Sequence, residues 1–210
     1  MDLYPLLQMT NINKSFATVR VLQDVCFNLL AGEVHALVGE NGAGKSTLMK
    51  ILGGIYSRDS GDILIDGKEA NITDVPTARG YGISIIHQEL MLAPNLSVAE
   101  NVFLGREIRT NLGLVDIAEM GKKAQRMLDG FDLPIRATDK INQLNIAQRQ
   151  MIEIVRSTCF GAKIIVMDEP TSSLSEKEVN VLFDAIFRLK KSGVGIIYIS
   201  HRMSELDVVA

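Results

Sequence analysis

Residues 39 to 47 read Gly39-Glu40-Asn41-Gly42-Ala43-Gly44-Lys45-Ser46-Thr47. The stretch satisfies G-x-x-x-x-G-K-[ST], with Gly39, Gly44, Lys45 and Ser46 in the fixed places. Chemistry dictates that spelling. A triphosphate is best held by several backbone N–H groups aimed at one point, and a glycine-rich loop lets the backbone come that close. Val34 to Val38 is apolar and feeds the loop as a strand; Lys45 to Leu52 leaves it as a helix. That helix end adds free N–H groups and a partial positive charge. Lys45 is expected to reach the β- and γ-phosphates, and the Ser46 hydroxyl to ligate Mg²⁺.

A second cluster of acids lies well downstream. Ile164, Ile165, Val166 and Met167 form an apolar strand that ends in Asp168 and Glu169. A strand of an open α/β sheet delivers such residues to its C-terminal edge, where ligands bind. Asp168 is expected to hold Mg²⁺, directly or through water. Glu169, one step on, points elsewhere and could act as general base on the attacking water. Gln88 follows the strand ending at Ile86, and its amide could meet the metal or that water. His201 follows the strand Val194 to Ser200 and could hydrogen-bond a γ-phosphate oxygen. Leu144-Asn145-Ile146-Ala147-Gln148 precedes a helix whose N-terminus could bind an anion.

The chain of 210 residues can bury a core. Its net charge of −3 and pI near 5.7 give no basic surplus, which argues against a nucleic-acid partner. Lys122, Lys123 and Arg126 fall on a helical segment and read as a solvated face. Cys26 and Cys159 sit in apolar segments and read as buried free thiols. Neither their spacing nor that of the histidines suggests a metal site. Met1 to Gln8 lacks the basic start of a signal peptide, and no apolar run approaches the ~20 residues that span a bilayer.

Leu6–Ile12 and Val25–Leu29 alternate as half-buried antiparallel strands. Asp62–Ile65, closed by Asp66-Gly67, and Gly82–Ile86 are further strands. Ser97 to Leu104 reads as a helix with a Ser97/Glu100 capping box. Met120, Ala124, Met127, Leu128 and Phe131 recur at helical spacing, Pro134 breaks the run, and Ile146 to Val155 resumes it. Ser175 to Lys191 is an amphipathic helix ended by Gly193. The fold expected is α/β: a mostly parallel sheet core at 1–90 and 158–210, a small antiparallel β part, and an inserted helical subdomain at about 91–157. The chain stops at Ala210, inside an apparent helix starting near Arg202, which suggests part of a longer product.

Taken in order, the phosphate loop 39–47, Gln88, segment 144–148, the acids 168–169 and His201 resemble the ATP-binding subunit of an ABC transporter. The resemblance covers nearly the whole chain. His87-Gln88-Glu89-Leu90, the Ile146-Ala147-Gln148 form of the signature and Glu169-Pro170-Thr171-Ser172-Ser173-Leu174 look like the branch importing galactose, ribose and related monosaccharides. The resemblance implies a P-loop NTPase (RecA-like) fold, ATP with Mg²⁺, and ATP hydrolysis coupled to sugar uptake. It implies that Phe16 stacks on adenine. It also implies a second ATP-binding domain, in tandem or as a dimer, whose phosphate loop would be capped by Asn145, Ile146, Ala147 and Gln148. A transmembrane permease would contact the segment after Gln88, to about Leu104. An extracytoplasmic sugar-binding protein would act indirectly, and the chain would sit on the cytoplasmic face of the membrane.

One departure bears on activity. Asn145 stands where the family's signature has Ser, and a donor misplaced by about 1 Å can cost orders of magnitude in rate. The alternative reading is a nucleotide-binding module with weak hydrolysis or none.

Overall fold

The computed structural model describes residues 4–40, 42–88 and 90–209. Asn41 and Glu89 therefore lie outside the described residues. The chain divides into two compact units. One takes in the chain up to Ile85, Ala162–Pro170 and the chain from Ile186 onward; the other takes in Ile86–Gly161 and Thr171–Ala185.

The first unit opens with a hairpin of β1 (Leu7–Phe16) and β2 (Val19–Leu29). With β4 (Ser60–Ile65) and β5 (Lys68–Glu69) they form an antiparallel sheet in the order β2-β1-β4-β5. The strands run well past the segments whose alternation is visible in the sequence. The reason lies in register shifts between Met9 and Lys14, where Asn11 (φ 51°) and, across the ladder, Asp24 (φ 45°) are left-handed. Asn13 Nδ2 bridges this irregularity, donating to Asn11 O and to Asp24 Oδ1, each at 2.9 Å. An extra residue in a strand reverses which side chains face inward, so the period-two signal fails there although pairing continues. Cys26 corrects the expectation of two buried thiols. In β2 the inward positions are Phe27 and Leu29, so Cys26 falls on the exposed face, hydrogen-bonded to Asn11. Cys159 is only partly buried, and burial pushes its thiol pKa up.

A second sheet has the order β3-β8-β7-β6, from β3 (Val34–Leu37), β6 (Ile83–Ile86), β7 (Ile164–Asp168) and β8 (Gly195–Ile199). β8 pairs parallel with both β3 and β7. This is the mostly parallel core that alternating strands and helices imply. β7 and β8 are buried along almost their whole length, as strands covered on both faces must be. One apolar core contains Leu7, Met9 and Ile12 of β1, Val166 and Ile199 of the second sheet, and four residues of α1 (Lys45–Leu52). α2 (Val75–Gly80) was not legible as a helix; its start is Asp74, whose Oδ1 accepts the Thr77 N–H at 2.8 Å.

In the second unit, α3 (Val98–Val102) carries the capping box read from the sequence: Ser97 Oγ accepts the Glu100 N–H, and the Glu100 carboxylate accepts the Ser97 N–H. α4 (Ile117–Gly130) buries Met120, Ala124 and Leu128 and exposes Lys122, Lys123 and Arg126. α5 (Ile146–Cys159) buries Met151, Ile152, Ile154 and Val155. α6 (Glu176–Lys191) and α7 (Met203–Val209) complete the helices. No helix among the described residues is long and apolar enough to cross a membrane.

Candidate nucleotide site

A cavity of about 450 Å³ opens in the first unit. It is lined by Gly39 and residues 42–47 of the phosphate loop, by Asp168 and Glu169 at the end of β7, by Ile199, Ser200 and His201 at the end of β8, and by Val21. The parallel pairing explains the convergence. Asp168 is registered against Ile199, and the Glu169 N–H donates to Ile199 O at 2.9 Å, so both strand ends meet at one edge. β3 lies on the other side of β8 and ends just before the loop, which brings phosphate-binding and acidic elements together.

The loop's backbone demands its glycines at one position above all. Gly44 caps α1 at φ 89°, and a Cβ there would lie 2.7 Å from Leu22 Cδ2 and 3.2 Å from Val21 O. The cap makes no side-chain hydrogen bond, so the first N–H groups of α1 remain for a ligand. Lys45 Nζ donates back to Gly39 O at 2.5 Å and to Glu40 O at 2.9 Å. An ammonium held by two carbonyls at the mouth of its own loop can exchange them for phosphate oxygens.

Glu169 adopts φ 47°, a left-handed conformation unusual for a residue with a side chain. Its Oε1 lies 3.0 Å from His201 Nδ1. The two residues singled out from opposite ends of the sequence argument are thus direct partners. Ser46 and Asp168 line the same cavity, one hydroxyl and one carboxylate. Such a hard oxygen pair, with nucleotide phosphates supplying further oxygens, suits Mg²⁺.

Other expected residues stand elsewhere. Phe16 is partly exposed, outside the cavity lining, with its ring edge-on to Tyr56 at 5.1 Å. Gln88 is exposed and belongs to the second unit. Asn145 is the N-cap of α5: its Oδ1 accepts the Gln148 N–H at 2.8 Å, and Gln148 Oε1 accepts the Asn145 N–H at 3.0 Å. Val21, Ile199 and Ser200 also line the cavity, although none stands out as a site residue in the sequence. Ser200 could have been suspected from its place beside His201, whereas Val21 carries no chemical signal.

The family model described as ABC transporter matches residues 22–172. The chain belongs to the ABC transporter family. It is 49% identical over 202 residues to the ribose import ATP-binding protein RbsA of Caldanaerobacter subterraneus subsp. tengcongensis, covering 96% of this chain and 41% of that protein. It is 50% identical over 206 residues to the ribose import ATP-binding protein RbsA 2 of Escherichia coli O157:H7, covering 98% of this chain and 40% of that protein. The chain thus spans about two fifths of the length of the curated relatives it matches. Among solved structures, a nucleotide-free ATP-binding cassette from an ABC transporter matches with a TM-score of 0.84 at 25% identity, covering 98% of this chain and 85% of that one. The ADP conformation of an ABC transporter's ATP-binding cassette matches with a TM-score of 0.83, also at 25% identity, covering 98% and 85%. The P-loop NTPase fold that the resemblance implies is therefore the fold of this ABC chain.

Proposed function

We propose that this ABC chain is the ATP-hydrolysing domain of an importer that couples ATP binding and hydrolysis to uptake of a monosaccharide. The observation that carries the reading is the meeting of the phosphate loop, Asp168, Glu169 and His201 on one cavity. The names of the relatives, ribose import ATP-binding proteins, support the sugar. Bound Mg·ATP supplies an electrophilic γ-phosphorus and a divalent charge. Lys45 exchanges the Gly39 and Glu40 carbonyls for β- and γ-phosphate oxygens. Ser46 and Asp168 would hold the metal. Glu169 orients the attacking water and takes its proton; His201 steadies that carboxylate and the γ-phosphate.

Residues 1–210 then act as one ABC-type ATP-binding domain, with a core of 1–90 and 158–210 and a helical subdomain of about 91–157. Phe16 stacks on adenine. The segment Asn145-Ile146-Ala147-Gln148 caps the γ-phosphate on a second such domain, and the segment after Gln88 meets a permease at the cytoplasmic face of the membrane. The test is titration of the full chain with Mg·ATP and a fluorescent analogue, with phosphate release followed in parallel. Saturable binding is expected, weakened about tenfold or more by Lys45→Ala, since charge-assisted hydrogen bonds are worth about 1.5–3 kcal/mol. Absence of binding by the parent chain overturns the reading.

A further inference from the structure

Beyond His201 the chain carries a buried carboxylate to which the chemistry above assigns no task. Glu205 is only 6% exposed, on a helix whose Leu206 and Val209 are also buried. A buried carboxylate is costly unless its oxygens are paired, and these are. Oε2 accepts two hydroxyls, Tyr198 Oη and Ser200 Oγ, each at 3.0 Å. Oε1 faces Arg202 Nη1 at 3.3 Å. Ser200 Oγ in turn accepts the Arg202 backbone N–H at 3.1 Å, and the Glu205 N–H donates to Arg202 O at 3.1 Å.

The positions of these partners matter more than their number. Ser200 and Arg202 are the two neighbours of His201, and both end on the same carboxylate. Tyr198, fully buried in β8, ties that carboxylate to the sheet. His201 is left at the tip of a turn whose two sides are fastened beneath it, with its own ring exposed and reaching Glu169. A leucine in place of Glu205 would pack without bonding Ser200 or Arg202.

We propose that Glu205 is the positioning residue of the His201 turn: through Ser200 and Arg202 it sets where the imidazole stands against Glu169. The proposal rests on the ATPase reading for its consequence in turnover, but not for its geometry. A purely structural staple of α7 to β8 would affect folding without acting through His201, and the test separates the two.

Full-chain variants Glu205→Gln, Glu205→Ala, Ser200→Ala and His201→Ala are compared, together with Glu205→Gln combined with His201→Ala. In nucleotide-free protein, the ring ¹⁵N resonances of His201 are expected to move in Glu205→Gln and Ser200→Ala, while those of His35 and His87 stay in place. In Glu205→Gln, Mg·ATP affinity is expected to stay within about twofold. Turnover is expected to fall about tenfold or more in Glu205→Gln, as a displaced group next to the chemistry allows, and this loss should vanish when His201 is already alanine. Should Glu205→Ala fail to fold, Glu205→Gln and Ser200→Ala carry the test. Unmoved His201 resonances in both, or the same fractional loss with and without His201, overturn the proposal. A parent chain that binds no nucleotide defeats the functional reading alone, because the ring resonances still report the positioning.

Discussion

His201 Nδ1 stands 3.0 Å from Glu169 Oε1, and that pair fixes much about how the site can work. An ionised carboxylate only accepts, so the Nδ1 proton belongs to this bond, and a neutral ring then offers Nε2 as an acceptor. Donation to a phosphate from Nε2 while Nδ1 stays on Glu169 needs both ring protons; otherwise the ring must turn away. The pair contributes little to folding. The His201 side chain is 68% exposed, and ion pairs of that kind are worth about 0–1 kcal/mol. Glu169 also holds a left-handed backbone, at a cost on the order of 1–3 kcal/mol. Strain at a residue whose side-chain contact adds little to the fold points to chemistry.

Glu169→Gln keeps the shape and can still bond His201, but it cannot take a proton. Turnover is expected to fall about 10²- to 10⁴-fold, the usual worth of a positioned general base, with Mg·ATP affinity nearly unchanged. Phosphate release and nucleotide titration measure the two separately. Parent-level turnover in this variant would remove Glu169 from the proton transfer.

Gly44→Ala tests the loop's backbone. The added methyl must displace Leu22 or Val21 of β2 and also adopt φ 89°. A loss of about 1–3 kcal/mol in denaturant melts is expected, together with weaker Mg·ATP binding. Gly67→Ala is the control: φ there is 71° but nothing lies within 4 Å, so only the backbone cost applies and binding should hold. Equal nucleotide affinity in Gly44→Ala and the parent would show that the loop tolerates a side chain there.

The sequence discloses the site better than the scaffold around it, for physical reasons. Phosphate binding and strand-end acids restrict residue type at fixed spacing, so Lys45, Asp168, Glu169 and His201 were readable and do meet. The buried strands β7 and β8 were readable because continuous apolar runs survive any register. The hairpin was half hidden because a bulge at Asn11 breaks the period that reveals strands. α2 was hidden because six residues give too little periodicity, leaving only the Asp74 cap and Pro76 in the first turn as a signal. Cys26 was misassigned because an apolar neighbourhood in sequence is not an inward position in a strand. Glu205 was passed over because an acid in so short a helix looks like a solvated residue, as its neighbour Asp207 is, until its partners are in place.

Asn145 bears on whether hydrolysis is intact. Its carbonyl caps α5, which leaves the amide NH₂ half of the group as a donor, the role a serine hydroxyl would otherwise fill. Asn145→Ser should therefore preserve the cap, with stability within about 0.5 kcal/mol, because Ser and Asn rank alike there. Its turnover is expected to stay within about threefold of the parent. Asn145→Ala should lose about 1 kcal/mol in thermal or denaturant melts. A gain of tenfold or more on Asn145→Ser would instead favour the alternative reading, a nucleotide-binding module with weak hydrolysis.

Acid should loosen the second unit through its helix starts. At α3 the Ser97 hydroxyl and then the Ser97 backbone N–H bond the Glu100 carboxylate and hold its pKa below the ordinary glutamate value. A carboxylate whose folded pKa is depressed stabilises fully above its unfolded pKa, and that share is lost as pH falls through the lower folded value. Stability should therefore be flat near neutrality and fall below about pH 4.3, the ordinary glutamate value. Glu178, bonded by the Ser175 N–H and hydroxyl at the start of α6, is shifted in the same direction and adds to the acid loss. Glu100→Gln is expected to lower the melting temperature at pH 7, where the parent enjoys the full contribution. It should also shallow the fall between about pH 5 and 3, because one proton uptake is gone. Melts of both proteins across that range decide the matter. Parallel curves would mean that the Ser97–Glu100 box does not differ between the folded and unfolded chains.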